Sequence, residues 1–597
     1  MSRSSVPRIH KLDPATVNQI AAGEVVERPA AVVKELVENA IDAGAGTVLV
    51  DVTADMKGIG RIRITDDGCG MTPDEALLAF EPHATSKIST IDDLHVVRTL
   101  GFRGEALASI AAVAQVTLIT RPREAETLGG TQVVVRGGEV LEQREIGAPV
   151  GTTVIVEDLF FNTPARRKFL KSRNTELAHL YGVVEGIALA HSEIAFRLTQ
   201  NGRERIATQR SADLRDAIVG LHGVETARSL IPVEGRTPFL RIGGYVSLPA
   251  ESRVNPSQIT ISINGRSVTS RPIAGAVREG YGTLLPKDRY PVVFLTLDID
   301  TALVDVNVHP TKREVRLTRE PEILGAITAA VADALAARDL TRDGESRETV
   351  QTALAPPVSP PPEIDRVASP APAYAARHHE LAASDRQLRR TDTGAPGPGA
   401  AAEQNLLPAM EPIGQVAATY IVAEGADGAL YLIDQHAAHE RILYEQIVDR
   451  RDAAVRSQEL ILPAILSLRP KEAALLREAV PILAAEGFVI DEFGRDTFAV
   501  RAVPVVLGKL EDQQVVRDTI GEVLADEQKA AAGAKERITT IVACRGAVKA
   551  GAHLTGEQQQ RIIDQLARTR TPWTCPHGRP TVVAFEKRKL DAMFRRT

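Results

Sequence analysis

The chain has 597 residues, more than one hydrophobic core accommodates, which predicts three or four domains at about 150 residues each. Hydrophobic residues at 44% and charged residues at 25% are typical of a soluble globular protein, and the net charge of −6 argues against a uniformly basic nucleic-acid binder. The sequence has no signal-peptide core and no run of about 18 apolar residues, so we expect a cytoplasmic protein without membrane segments.

The predicted elements divide the chain into two lobes of α+β class. Helical and extended patterns alternate in the first lobe, which predicts two subdomains, 1–215 and 216–340. Residues 341–405 are rich in Pro, Ala and Ser without periodic apolar positions, and such a segment cannot repay the entropy of folding. Hairpin and helical patterns then predict a smaller α+β lobe over 406–597. The sequence therefore predicts a disordered linker between two independent lobes.

The stretch RPAAVVKELVENAIDAG predicts an amphipathic helix near the start of the chain. Pro29 suits its first turn and Gly44 suits its C-terminal exit. Glu35, Asn39 and Asp42 recur at i, i+4 and i+7, so they share one polar stripe. A stripe of this kind is ordinarily a solvated face, and the motifs that follow favour a functional site.

Two glycine-containing motifs follow this helix. Asp66 stands at the end of the strand pattern RIRIT, where a carboxylate can accept the amino hydrogens of adenine, and Gly68 and Gly70 permit a flat ligand to approach the backbone. Gly101 and Gly104 precede an apolar helical run and offer free backbone N–H groups to phosphate. The stretch HATSK between them suits a mobile lid. Each motif alone is compatible with a plain turn, but together they predict a nucleotide pocket.

Two stretches of the second lobe carry metal-ligand chemistry. In DQHAAHERILYE, Asp434 lies at a predicted strand-to-helix junction, and His436 and Glu440 project from one helix face. Cys575 and His577 in CPHGRP point the same way from a strand entry. This donor set suits zinc or manganese, and five candidates fit two ions, or one ion with an open water position, better than a single structural zinc. For the first stretch alone, a capped helix with a solvated face is the alternative.

Three neighbouring residues are predicted to lie outside this ligand set. Glu445 is five residues beyond Glu440, about 140° further round the helix, and is assigned to support of the fold. Cys544 is interpreted as a buried free cysteine, with a peripheral ligand as the alternative. His439 is interpreted as a histidine on the helix surface.

Several stretches resemble the MutL family of DNA mismatch-repair proteins, within the ATP-binding superfamily that includes type II topoisomerases, the Hsp90 chaperone and histidine kinases. They are NQIAAGEVVERP, ELVENAIDAG, PHATSKI, GFRGEALASI, DLFFNTPARRKFL and VDVNVHPTKREVR. DQHAAHERILYE, ACRGAVKAG and CPHGRP resemble motifs of the family members that cut DNA. The resemblance covers nearly the whole chain except the linker. It implies an ATP-binding subdomain at 1–215, a transducer-like subdomain at 216–340 and a dimerisation and endonuclease lobe at 406–597.

The resemblance also implies roles for particular residues of the ATP site. Glu35 would act as the general base for the attacking water, and Asn39 would hold Mg²⁺ on the phosphates. Asp66 and Thr152 would recognise adenine, and Lys312 would reach the γ-phosphate. The other residues implied in ATP binding are Gly68, Gly70, Thr85, Ser86, Lys87, Gly101, Phe102, Arg103 and Gly104.

In the second lobe the resemblance implies metal-assisted hydrolysis of one DNA strand, with Asp434 and Glu440 as catalytic residues. The ligands of Zn²⁺ and/or Mn²⁺ would be Asp434, His436, Glu440, Cys575 and His577. A matchmaker whose second lobe only dimerises is the alternative, while a chaperone or topoisomerase reading leaves HPTKREVR and CPHGRP unexplained.

The implied partners are double-stranded DNA, a mismatch-recognition protein of the MutS type, a sliding clamp and a second copy of the chain. The predicted DNA contact is the basic cluster Arg166, Arg167 and Lys168, for which a solvated face is the alternative. The predicted clamp motif, which resembles the family's short Gln-led motif, comprises Gln458, Leu460, Ile461 and Pro463, for which a strand edge is the alternative.

Overall fold

The computed structural model describes twelve segments of the chain and Gly23. The segments are 26–82, 84–85, 99–101, 104–124, 128–286, 289–305, 315–337, 407–449, 457–505, 513–524, 534–548 and 551–596. The predicted linker and five predicted ATP-site residues, Ser86, Lys87, Phe102, Arg103 and Lys312, lie outside them. Within these segments no helix has the length and apolar character that crossing a bilayer requires.

An eight-stranded sheet with helices packed on it forms the first part of the chain. Its elements are α1 (Pro29–Asp42), β1 (Thr47–Asp55), β2 (Gly58–Asp66), α2 (Pro73–Leu78), α3 (Ala106–Val113), β3 (Gln115–Arg121), β4 (Gly129–Arg136), β5 (Glu139–Gly147), β6 (Gly151–Glu157), α4 (Pro164–Phe169), α5 (Arg173–Ala190), β7 (Ala195–Gln200), β8 (Arg203–Ala207) and α6 (Leu214–Arg228). The strand order is β5-β4-β3-β6-β2-β1-β7-β8, antiparallel except for β1 with β7. One face of the sheet packs with α1, α3 and α5 in a single hydrophobic cluster.

A second sheet with its own core follows. Its elements are β9 (Leu230–Pro232), β10 (Gly235–Arg236), β11 (Leu240–Ser247), β12 (Ile259–Ile263), β13 (Arg266–Val268), α7 (Arg271–Tyr281), β14 (Val293–Ile299), β15 (Val304–Asp305), β16 (Arg316–Leu317) and α8 (Glu320–Ala336). The main strands run in the order β10-β11-β14-β12-β13, with β9 beside β11 and with β12 parallel to β14. Helices α7 and α8 bury their apolar faces against this sheet, so this subdomain has a separate hydrophobic cluster.

The second lobe is built on two small antiparallel sheets. Its elements are β17 (Met410–Val416), β18 (Tyr420–Gly425), β19 (Leu430–Asp434), α9 (Gln435–Asp449), β20 (Ser457–Ser467), α10 (Pro470–Ala485), β21 (Val489–Glu492), β22 (Thr497–Pro504), α11 (Gln513–Leu524), α12 (Ala534–Gly546), α13 (Gly556–Ala567), β23 (Val582–Phe585) and α14 (Lys587–Met593). The sheets are β17-β18-β19-β23 and β20-β22-β21. Helix α9 begins where β19 ends, which places its first turn at the end of an inner strand of the first sheet.

The predicted α+β class is confirmed, and the described parts of the two predicted lobes also contact one another. Helix α10 of the second lobe packs on α5, and Ala474 joins the hydrophobic cluster of the first sheet. Arg469 donates to Glu185 at 2.6 Å, and Arg205 donates to Asp496 at 3.0 Å. The sequence does not reveal these pairs because their partners lie almost three hundred residues apart.

Candidate functional site

Helix α1 separates a buried apolar face from a half-buried polar stripe. Val33, Leu36 and Val37 lie in the hydrophobic core, whereas Glu35 and Asn39 are half-buried on the other side. The predicted amphipathic helix is therefore confirmed, and it begins with Pro29 in its first turn as expected. The core holds the helix in place while its polar stripe remains partly accessible.

The adenine end of the predicted pocket lies where β2 and β6 run side by side. Asp66 pairs in register with Thr152, and its carboxylate accepts the N–H of Gly68 at 2.9 Å. Burial raises the pKa of Asp66, although hydrogen bonds from the backbones of Gly68 and Thr152 partly offset this effect. A Cβ added at Gly151 would lie 2.1 Å from the Asp66 carbonyl oxygen, and a Cβ at Gly68 would lie 2.9 Å from its carboxylate. The backbone around Asp66 is thus too crowded for side chains, as a flat binding surface requires.

Asp67, for which the sequence predicts no role, fixes the backbone that follows the C-terminal end of α1. Its carboxylate accepts the N–H groups of Gly46 at 2.7 Å and Thr47 at 2.9 Å. The connection from α1 to β1 is therefore fixed by the residue next to Asp66. An acid directly after a strand is the signal that could have indicated this role.

The predicted phosphate-binding motif lies against the C-terminal end of α1. The Asp42 carboxylate accepts the N–H of Leu100 at 2.9 Å and that of Gly101 at 3.0 Å. The prediction of a free N–H at Gly101 is therefore wrong, because an acid of the polar stripe already accepts it. Gly104 has a φ of +62°, and a Cβ there would lie 3.0 Å from the Cβ of Thr85. The residues around Thr85, Gly101 and Gly104 are thus drawn together beside α1.

The metal-ligand candidates of the second lobe converge on Glu440 of α9. Its Oε1 lies 2.6 Å from Cys544 Sγ and 3.0 Å from His436 Nε2, and its Oε2 lies 3.4 Å from His577 Nδ1. Donor atoms of Glu440, Cys544 and His577 lie within 4.8 Å of one another. Cys575 is buried, and its Sγ lies 4.0 Å from His577 Nδ1. Carboxylate, thiol and imidazole donors at these distances fit a zinc ion.

The side chains of this cluster shift one another's pKa values. Burial raises the pKa of Glu440, but hydrogen bonds from His436 and Cys544 outweigh it and lower the pKa to about 2. The Glu440 carboxylate in turn raises the pKa of His436, and burial together with Glu440 raises the pKa of the Cys544 thiol. Glu440 is therefore an anion that receives hydrogen bonds from two other candidate donors.

Cys544 and His439 do not lie where the sequence predicts. Cys544 is a free cysteine as expected, but it is half-buried and contacts both Glu440 and His577, so it lies beside the candidate ligands. His439 accepts the N–H of Val548 at 2.9 Å, and burial lowers its pKa, so it is not a surface histidine. Helix α12 brings Cys544 to α9 from about one hundred residues away, which spacing could not reveal.

Asp434 and Glu445 lie on either side of the cluster, and their carboxylates accept hydrogen bonds from backbone N–H groups. Asp434 caps α9 by accepting the N–H groups of His436 at 2.9 Å and Ala437 at 3.0 Å. This is the capped helix that sequence offers as the alternative, and it coexists with the cluster one turn later. Glu445 accepts the N–H groups of Arg570 at 2.7 Å and Thr571 at 3.3 Å, which confirms its predicted support of the fold.

The predicted DNA contact lies on the short helix α4. Arg167 and Lys168 are exposed, together with Phe169, which is 85% exposed. Arg166 is half-buried, and its guanidinium lies so close to Gly23 that a Cβ there would clash with it. The structure therefore leaves two of the three predicted cations fully available to a phosphate backbone.

The predicted clamp motif lies in β20, at an irregularity of the sheet. The register between β20 and β22 shifts between Glu459 and Ala464, so residues 460–463 leave the ladder. Ile461 is 99% exposed, whereas Leu460 packs against the hydrophobic core of this lobe. The bulge therefore exposes two neighbouring large apolar side chains, because Leu462 is 70% exposed beside Ile461.

Comparisons with known proteins assign the chain to a family. Residues 27–136 match the model "Histidine kinase-, DNA gyrase B-, and HSP90-like ATPase", residues 218–336 match "DNA mismatch repair protein, C-terminal domain", and residues 413–554 match "MutL C terminal dimerisation domain".

Curated relatives named "DNA mismatch repair protein MutL" match over almost the whole length. The relative from Methanoculleus marisnigri is 67% identical over 99% of this chain and 100% of its own. The relative from Methanocorpusculum labreanum is 45% identical over 99% of this chain and 100% of its own, and the one from Geobacillus kaustophilus is 38% identical over 99% of each. The chain belongs to the MutL family of DNA mismatch repair proteins.

Proposed function

We propose that the protein couples ATP turnover in its first lobe to the nicking of one DNA strand by a metal site in its second lobe. The observation that carries this proposal is the convergence of Glu440, Cys544 and His577, which come from three separate segments. In the proposed organisation, residues 1–215 bind ATP, residues 216–340 respond to it, 341–405 form a linker, and 406–597 dimerise and cut DNA. A second copy of the chain and a MutS-type protein are its proposed partners.

Within the ATP site we assign the chemistry to the polar stripe of α1. Glu35 is partly accessible, with 17% of its side chain exposed, and serves as the general base for the attacking water. Asn39, one turn later, supplies an oxygen to Mg²⁺. Asp66 and Thr152 recognise adenine at the opposite end, where the crowded glycines favour a flat ligand.

Replacing Glu35 by Ala should abolish most ATP turnover while ADP binding persists. Loss of a general base lowers the rate by roughly 10²–10⁴-fold, whereas the adenine end of the pocket stays intact. The measurement is steady-state phosphate release beside calorimetric ADP binding. Glu139→Ala, an exposed carboxylate on the edge strand β5, is the matched control. Near-normal turnover by the Glu35 variant would refute the assignment.

The donor set of the second lobe fits a zinc or manganese ion held by His436, Glu440, Cys544, Cys575 and His577. A bound ion would supply an activated water and neutralise the leaving oxygen of a cut DNA strand. His436 Nε2 lies 3.0 Å from Glu440 Oε1, and its Nδ1 donates to the Val548 carbonyl oxygen at 2.9 Å, so this imidazole orients the central carboxylate. Asp434 fixes the start of the helix that carries both residues and adds a negative charge beside them.

Two substitutions separate metal binding from cutting. Cys544→Ser should lower the zinc content of the purified protein, because a hydroxyl is a poorer zinc ligand than a thiolate, whereas Cys69→Ser in the first lobe should not.

Asp434→Asn keeps a good helix cap, so it should abolish nicking of supercoiled plasmid in Mn²⁺ or Mg²⁺ without unfolding α9. Nicking that survives Asp434→Asn would remove that residue from the site. Zinc binding without any nicking by the unaltered protein would favour the matchmaker with a structural metal.

The exposed cations of α4 are proposed to contact the DNA backbone. Replacing Arg167 and Lys168 together by Ala should weaken DNA retention and reduce the salt slope by about two phosphate contacts. The measurement is retention on duplex DNA across a salt series. The control replaces Arg61 and Arg63 on β2, two exposed cations in the same subdomain. An unchanged slope for the α4 variant would leave these residues as a solvated face.

The bulge of β20 is proposed to dock on a sliding clamp. Ile461→Ala and Gln458→Ala should each reduce capture of the chain by an immobilised clamp, because the exposed side chains fill the partner's groove. Val489→Ala is the control, because Val489 is 45% exposed on strand β21 of the same sheet. Equal capture of all variants would show that the bulge only closes the strand edge.

A further inference from the structure

We infer that Arg266 is a positioning residue for nucleotide binding, which holds residues 99–101 against α1 from the second subdomain. The inference rests on the proposed ATP site and adds to it a link between the two subdomains of the first lobe.

Arg266 donates two hydrogen bonds to the segment that carries Gly101. Its Nη1 lies 2.8 Å from Leu100 O, and its Nη2 lies 2.7 Å from Thr99 O. On the other side of the same segment, Asp42 accepts the N–H groups of Leu100 and Gly101. The segment is therefore held between an acid from α1 and a cation from β13, so each subdomain contributes one half of the contact.

The base of the Arg266 side chain is rigid. It follows the tight turn of Asn264 and Gly265, both with positive φ. Asn264 exchanges side-chain hydrogen bonds with the N–H and carbonyl of Ile299 on β14, and His191 Nε2 lies 2.9 Å from Gly265 O. Any shift of this turn relative to the ATP-binding subdomain therefore moves the guanidinium and the segment it holds.

The guanidinium of Arg266 is buried, so its charge depends on the carbonyl and carboxylate groups around it. Arg266 is only 8% exposed, and among the described residues no carboxylate forms an ion pair with it. Burial lowers its pKa, while the nearby carboxylates of Glu38, Asp42 and Glu35 raise it. The acids of α1 thus compensate the buried charge, and the two carbonyls orient it. A neutral side chain here would remove both of these hydrogen bonds to the segment.

The expected consequence is a loss of nucleotide affinity that exceeds the loss of chemical rate. Releasing residues 99–101 loosens the backbone beside Gly104 and Thr85, where the proposed site meets the phosphates. Glu35 and Asn39 remain fixed by the core face of α1. A mere loss of folded protein would instead lower the apparent kcat and leave KM unchanged.

The test uses the full-length protein with Mg²⁺ and compares Arg266→Ala, Arg266→Lys and Arg241→Ala. Arg241 is an exposed cation on β11 of the same subdomain and serves as the matched control. ADP binding by calorimetry, KM and kcat for ATP, and thermal unfolding are measured for each. We expect about tenfold weaker ADP binding and a similarly raised KM for Arg266→Ala, an intermediate effect for Arg266→Lys, which can still donate to a carbonyl, and none for Arg241→Ala.

Three results would overturn the inference. The first is Arg266→Lys and Arg266→Ala proteins that bind ADP as tightly as the unaltered chain. The second is a fall in kcat and thermal stability with unchanged KM, which would make Arg266 purely structural. The third is normal nucleotide affinity with lost DNA retention, which would assign Arg266 to DNA. If the unaltered chain binds no ADP, or if Glu35→Ala still hydrolyses ATP normally, the proposed ATP site itself fails, and these controls identify that outcome separately.

Discussion

Four backbone groups of residues 99–101 have to be satisfied away from bulk water, and this constraint ties the first lobe together. Two of these groups are N–H donors that Asp42 accepts, and two are carbonyls that Arg266 serves. Since an unsatisfied buried backbone group is costly, both subdomains stabilise the segment. The last residue of α1 thus has a structural task, unlike the chemical roles proposed for Glu35 and Asn39 on the same stripe.

In the second lobe, a buried carboxylate is satisfied by side chains rather than by backbone groups. Glu440 is 4% exposed and would be an isolated buried charge without the hydrogen bonds from His436 and Cys544. His577 brings an imidazole to its second oxygen from a turn more than one hundred residues away. Three polar side chains thus surround one buried carboxylate, and the proposed metal site rests on this arrangement.

The local sequence pattern predicted those residues of each candidate site that lie on a single helix or strand. The i, i+4 spacing of His436 and Glu440 placed both on one face of α9, and the strand end predicted the position of Asp66. Pattern failed for Arg266 and Cys544, because their contacts join segments whose separation in sequence carries no periodic signal. It also misjudged Gly101, whose N–H was assumed free because the competing acceptor on another helix was not visible locally.

The contact between the lobes likewise depends on a buried carboxylate that is paired with a cation. Glu185 on α5 is buried, and although burial raises its pKa, the Arg469 guanidinium and the His222 imidazole 3.2 Å away hold it well below its ordinary value. Breaking such a buried pair by removing one partner costs about 3–5 kcal/mol, far more than an exposed pair. Because α5 packs in the same hydrophobic cluster as α1, the helix that meets the second lobe also supports the polar stripe of the ATP site. The packing of α10 on α5 therefore connects the second lobe to the hydrophobic cluster that holds α1.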